Sequence, residues 1–143
     1  MKLTRVIGVV LAILLASCET YKPPTLPRDQ TATVVPPAKR WGNMLFIDQV
    51  DGLAPSKSSA AQLVLYSRPV VLAPGKHTMR VRVRLGMSEG LADIWLVAEA
   101  GKTYRIMKES RGNRFKVWFE DDATGIPVGG VGGSDDEPRN DSH

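Results

Sequence analysis

Arginines alternate with apolar residues in the middle of this chain, and that alternation is its sharpest chemical feature. Arg80, Arg82 and Arg84 are spaced two apart, interleaved with Met79, Val81, Val83 and Leu85. A period of two puts the guanidinium groups on one face of a β-strand and the apolar set on the other. Each guanidinium is a planar fork of donors that matches two oxygens of a carboxylate or phosphate at once, so such a face suits anionic groups. Arg105, Arg114 and Lys116 fall on later stretches and extend the stripe if those stretches share its sheet and register. The alternative is that the arginines only solubilise the outer side of a sheet and guard its edge against unwanted pairing.

The remaining candidates for chemistry are sparse. His77 has the side chain of a general base or a metal ligand, but the only other histidine is His143, near the end of the sequence. No nucleophile, base and orienting group assemble around it, and it reads as a turn-flanking residue that hydrogen-bonds nearby. Glu120, Asp121 and Asp122 are oxygen-rich and followed by Gly125. They lack the ligand spacing of a calcium loop and read as a solvated hairpin turn. Trp95, Trp118 and Tyr104 either line a sugar-stacking groove or serve as core and edge cover. No catalytic residue, metal ligand or cofactor motif is assigned. Asp135, Asp136, Glu137 and Asp141 either remain solvated or fold back on the basic face as a competitor for its ligand.

The elements that position these residues are strands. Residues 44–50 give a first one, which Asp51-Gly52 ends. Residues 60–66, AAQLVLY, fit a strand or one helical turn, and strand is the expectation. Pro69 admits an edge strand over residues 70–72, and Pro74-Gly75 is expected to reverse the chain into the arginine strand. After a loop at residues 86–90, residues 92–98 (ADIWLVA) place large apolar groups on both faces, as in a central strand covered on both sides. Ala100-Gly101-Lys102 then turns into a partner strand at residues 103–108, with Tyr104 and Ile106 on one face. Arg111-Gly112-Asn113 closes a hairpin onto residues 114–120, with Phe115, Val117 and Phe119 inward, and residues 126–128 add a last short strand. About seven short strands without a clear helix predict a mainly β fold, a small antiparallel β-sandwich.

The ends of the chain differ from this middle. Lys2 and Arg5 precede an uncharged apolar run over residues 6–16 and the small residues before Cys18, which is the anatomy of a secretory signal. The run is shorter than the roughly 20 residues that span a bilayer. Leu15-Ala16-Ser17-Cys18 resembles the lipobox of bacterial lipoproteins, which implies cleavage before Cys18 and lipidation of its thiol. The alternative is an ordinary cleaved signal and a soluble periplasmic protein. Glu19 rather than Asp follows the cysteine, and by the same resemblance this favours the outer membrane of a Gram-negative bacterium, facing the periplasm. Two or three acyl chains make a lasting anchor where one does not, and lipidation uses up the sole cysteine, so no internal disulfide forms. The formal charge of +4 includes Lys2 and Arg5, so the mature protein is closer to neutral, which argues against nucleic acid as a partner.

Five prolines between residues 23 and 37 predict an extended tether, and the glycines and charges after residue 128 predict a disordered tail. The expected organisation is therefore a signal peptide at 1–17, lipidated Cys18 and a Pro-rich tether at 18–40, a β-sandwich domain at 41–128, and a Gly-rich, acidic tail at 129–143.

Val50-Asp51-Gly52, Pro74-Gly75-Lys76-His77, Ala98-Glu99-Ala100-Gly101-Lys102-Thr103-Tyr104 and Trp118-Phe119-Glu120-Asp121 together resemble a loose group of small bacterial lipoproteins with PEGA-like β-sandwich modules. The motifs are mostly turns, so the resemblance implies the fold and carries over no catalytic residue. The expected function is a non-enzymatic binding or structural module for an envelope component: an envelope protein, peptidoglycan or lipopolysaccharide. The alternative is an accessory subunit or chaperone of a secretion, pilus or other envelope assembly, binding its partner by strand addition at residues 70–72.

Overall fold

The structure is a computed structural model in which residues 19–37, 45–55 and 69–134 are described. The expected signal peptide, Cys18, the expected strand at residues 60–66 and the acidic residues from Asp135 onward lie outside the described residues. The strands are β1 (Thr20–Tyr21), β2 (Ala32–Val35), β3 (Leu45–Val50), β4 (Ala54–Pro55), β5 (Val70–Leu72), β6 (Gly75–Leu85), β7 (Ser88–Ala98), β8 (Thr103–Arg111), β9 (Arg114–Asp121) and β10 (Pro127–Gly133). A 3-10 turn spans Arg28–Gln30. The fold is mainly β, as the alternation predicts.

Two sheets face each other. One has three strands in the order β3-β6-β7, all antiparallel, and the other has five in the order β10-β9-β8-β2-β5. Only β2 and β8 run parallel in the larger sheet. β1 and β4 form a separate short parallel pair. Alternate residues of both sheets point into one core: Met79, Val81 and Val83 from β6, Ile94 and Leu96 from β7, Tyr104 and Ile106 from β8, and Phe115, Val117 and Phe119 from β9. Burying a large apolar side chain fully contributes about 1.5–3 kcal/mol, so this interior is what holds a domain that has no disulfide among its described residues.

The strands expected at residues 44–50, 70–72, 103–108 and 114–120 are all present, the first described from Leu45 and the last two longer than expected. The arginine strand begins at Gly75 and pairs with β7 over eleven residues on each side. The expected loop at 86–90 shrinks to a two-residue turn, Gly86-Met87, between Leu85 and Ser88.

The connections differ more than the strands. Pro74-Gly75 does not fold residues 70–72 back against the arginine strand; it carries the chain from β5 in the larger sheet to β6 in the smaller. Ala100-Gly101-Lys102 likewise leads from β7 in one sheet to β8 in the other, so these two strands are not partners. Nor is β7 central and covered on both faces. It ends the order of the smaller sheet, with Leu91, Trp95 and Val97 exposed on its outer face.

The domain also reaches beyond residues 41–128 at both ends. Ala32 and Val34, expected in the tether, are fully buried, and β2 sits between β5 and β8 inside the larger sheet. The last strand, expected to stop at Val128, continues through Gly133. Its glycines let it press against β7: a Cβ on Gly129 would lie 2.0 Å from the Trp95 carbonyl oxygen, and one on Gly132 2.6 Å from that of Asp93. No other residue type allows two backbones so close, and this contact closes one side of the sandwich.

Candidate functional site

The six cations do not share a face. Arg80, Arg82 and Arg84 lie on the outer side of the three-stranded sheet, whereas Arg105, Arg114 and Lys116 lie on the outer side of the five-stranded one. The extended basic stripe is therefore broken, because the chain changes sheets at residues 99–102.

The three-arginine stripe is also neutralised by its neighbours. Arg80 holds Asp93 through two hydrogen bonds, Nε to Oδ1 at 2.8 Å and Nη2 to Oδ2 at 3.0 Å. Those bonds hold the Asp93 carboxyl below its usual range and raise the Arg80 guanidinium further. Arg82 grips Asp48, with Nη2 to Oδ1 at 2.7 Å and Nε to Oδ2 at 3.1 Å, and packs over the Phe46 ring at 5.9 Å. Glu89 lies 3.6 Å from both Arg82 and Arg84. Three carboxylates thus answer three guanidinium groups, and an external anion must displace them to bind.

On the larger sheet Arg105 donates to Asp122 at 2.7 Å. Lys116 stands opposite Glu109 in the ladder, and Arg114 stands opposite Arg111 at the hairpin end.

His77 is fully engaged. Its Nε2 is 2.7 Å from the Ala73 carbonyl oxygen and its Nδ1 is 2.6 Å from Asp51 Oδ2. The carbonyl takes the nitrogen that a nucleophile needs in a Ser-His-Asp arrangement. Asp51 also accepts from the Thr78 backbone N–H at 2.9 Å. The cluster clasps the turn after β3 to the corner before β6, which is the structural role the sequence suggests for His77.

The acidic turn has a similar character. Asp121 is nearly buried and accepts from the backbone N–H groups of Ala123 and Thr124, at 3.0 and 3.3 Å, with Lys102 Nζ at 3.4 Å. The bond from Ala123 leads in holding its carboxyl below the usual range. The turn is thus closed by its own carboxylate, more buried than the solvated turn expected. No group of three or more metal-ligating side chains converges among the described residues.

The aromatic residues separate. Tyr104 belongs to the core, and its hydroxyl accepts from the Glu99 backbone N–H at 3.0 Å, tying the sheet-crossing turn to the interior. Trp95 lies on the seam between β7 and β10, with Lys76 Nζ 4.9 Å from its ring centroid. Trp118 donates to Glu120 Oε1 at 2.9 Å and lines a groove of about 470 Å³ on the larger sheet, shared with Glu109, Lys116, Pro127, Val131 and the glycines 132 and 133. An indole, a proline ring and bare backbone give this groove an apolar floor, and a carboxylate and an ammonium border it.

Lys108 was not singled out by sequence reasoning. Its Nζ is buried without a hydrogen-bond partner, and desolvation pushes its amine below the usual lysine range. The signal was present, because a period of two from Tyr104 and Ile106 leads to Lys108 on the inner face.

The edge at β5 is short and partly capped. The Thr33 backbone N–H is turned to Lys102 on the β8 side, at 3.0 Å, so its partner Val71 directs its backbone groups away from β2. The Tyr21 hydroxyl donates to the Val71 carbonyl oxygen at 2.6 Å. Among the described residues, no helix is long and apolar enough to cross a membrane. No family model, curated protein or solved structure matches this chain.

Proposed function

We propose that this chain is an outer-membrane lipoprotein, anchored through Cys18, whose PEGA-like β-sandwich is a non-enzymatic module that binds an envelope glycan at the Trp118 groove. The observation that carries the reading is the groove itself: the Trp118 indole beside Pro127 and Val131, flanked by Glu109 and Lys116. A sugar ring has an apolar face to stack on an indole and hydroxyl or carboxylate groups for a charged rim. Peptidoglycan fits better than lipopolysaccharide, because its sugar backbone suits the apolar floor and its stem-peptide amides and carboxylates suit a rim of mixed charge. The lipobox-like Leu15-Ala16-Ser17-Cys18 supports the address. The arginine stripe is a weaker candidate for a sugar than the groove, since its guanidinium groups already hold Asp48, Glu89 and Asp93 and no groove is found over it among the described residues.

Strand addition has less to work with at β5, where Tyr21 occupies the outward carbonyl of a three-residue strand.

Co-sedimentation with purified peptidoglycan tests the reading. The wild type pellets with the sacculi and Trp118→Ala reduces the bound fraction several-fold, as expected for loss of a stacking contact. Equal pelleting of the two proteins removes the groove from the proposal. Failure of the wild type to bind sacculi removes the ligand. Cys18→Ala is expected to leave the membrane fraction, and its retention there overturns the anchor.

A further inference from the structure

Trp118 and Glu120 are half-buried side chains two residues apart on the outer face of β9, and the Trp118 indole N–H donates to Glu120 Oε1 at 2.9 Å. Residues so spaced lie about 7 Å apart along a strand, so this bond lays the indole lengthwise over β9. It also uses the only donor that an indole has. The ring therefore meets a ligand through its π-face alone, and hydrogen bonds to that ligand come from the residues around it.

Glu120 is placed to supply them. On one side it stands opposite Pro127 of β10, which lines the Trp118 groove, and on the other opposite Arg105 of β8. Arg105 turns its Nε to Asp122 instead, at 2.7 Å. Among the described residues, the Trp118 N–H is the one hydrogen-bond donor to the Glu120 carboxylate, and a carboxylate accepts several. An acceptor-only group beside a stacking ring suits the hydroxyls of a neutral sugar and repels a sugar acid or a phosphate. We propose that Glu120 both positions the Trp118 ring and sets the specificity of the groove: one oxygen holds the indole, and the other accepts from the hydroxyls of an uncharged N-acetylhexosamine stacked on it. In a peptidoglycan strand the fitting ring is N-acetylglucosamine, whose ring hydroxyls are free, because its neighbour carries a lactyl ether in place of one. This assignment rests on the glycan reading of the groove.

The test follows the Trp118 indole N–H signal by NMR, and the affinity for triacetylchitotriose, an uncharged trimer of N-acetylglucosamine, in the full-length wild type, Glu120→Gln and Glu120→Ala. Glutamine still offers an oxygen to the indole, so its indole signal is expected to stay near the wild-type position while affinity falls about threefold with the charged acceptor gone. Alanine removes both contacts, so the indole signal is expected to move and affinity to fall about tenfold or more. The wild type is expected to prefer this trimer over tri-galacturonate, and Glu120→Gln to lose that preference. An unmoved indole signal in Glu120→Ala, or equal affinity of that variant and the wild type, overturns the proposal. Sacculi held through Trp118 without binding of the trimer overturn it too and leave the glycan reading standing; loss of both removes that reading together with the role of Glu120.

Discussion

Arg82 grips Asp48 across a β-bulge, and Asp48 is the residue that the bulge leaves without a ladder partner. Ile47 pairs with Val81 and Gln49 with Arg80, so the register passes over Asp48. The bulge restores the inward direction of Val50, which is fully buried, and leaves Asp48 outside to accept from Arg82. The two mutations Asp48→Ala and Arg82→Ala are expected to couple in a double-mutant cycle by about 0.5–1 kcal/mol, the range of partly exposed pairs. Urea unfolding of the four proteins at low salt measures the coupling, and simple additivity would show that the bulge alone sets the register.

The glycines of β10 are expected to differ sharply from turn glycines. Gly86 has a φ of 66° and open space around its would-be Cβ, whereas Gly129 has a φ of 74° and a Cβ position 2.0 Å from the Trp95 carbonyl oxygen. Gly86→Ala is expected to cost about 1 kcal/mol through backbone strain alone. Gly129→Ala adds a clash between two backbones and is expected to cost about 3 kcal/mol or more. Chemical denaturation of the pair checks the contrast, and equal costs would mean that β10 does not press on β7.

Lys108→Met is expected to stabilise the fold. A buried donor without a partner costs about 1–3 kcal/mol, and methionine keeps the stem while removing the amine. The sign of the pH dependence follows from the lowered amine: between its native value and the ordinary lysine value of about 10.4, the unfolded state binds more protons. Stability therefore rises with pH across that window. Urea midpoints should climb from pH 7 to pH 10 in the wild type and climb less in Lys108→Met.

Asp121 governs the acid limb in the opposite direction. Its carboxyl is held low by the Ala123 N–H bond first, against burial, with help from Lys102. A lowered carboxylate contributes stability that is complete above its unfolded value of about 3.9 and is lost as pH falls through its native value. Melting temperatures below about pH 4 should fall more steeply for the wild type than for Asp121→Asn, with the two curves parallel near neutrality.

Strand existence was legible in the sequence because alternation at Met79, Val81 and Val83, or at Phe115, Val117 and Phe119, reports a half-buried sheet residue by residue. Sheet membership was not. Pro74-Gly75 and Ala100-Gly101-Lys102 are short turns of the kind that close hairpins, and nothing local distinguishes them from turns that pass a strand to the facing sheet. That single ambiguity is why Arg105, Arg114 and Lys116 read as a continuation of a stripe they do not touch. β2 was hidden for another reason: its four residues, Ala-Thr-Val-Val, lie between Pro27 and Pro36, and averaged composition obscures a short buried strand in a Pro-rich segment. The groove at Trp118 draws on β8, β9 and β10, and no pattern within one strand announces it.

The place of β2 bears on how the molecule is made. Thr33 pairs with Val71 on one side and with Thr103 on the other, about 70 residues along the chain. Synthesis delivers the N-terminal residues first, so Ala32 to Val35 emerge early and have no complete berth until most of the sequence has followed. Pairings this distant form slowly. A chain halted at Ala98 lacks one of the two flanks of its earliest buried strand, so the larger sheet has no complete form until the residues of β8 are present.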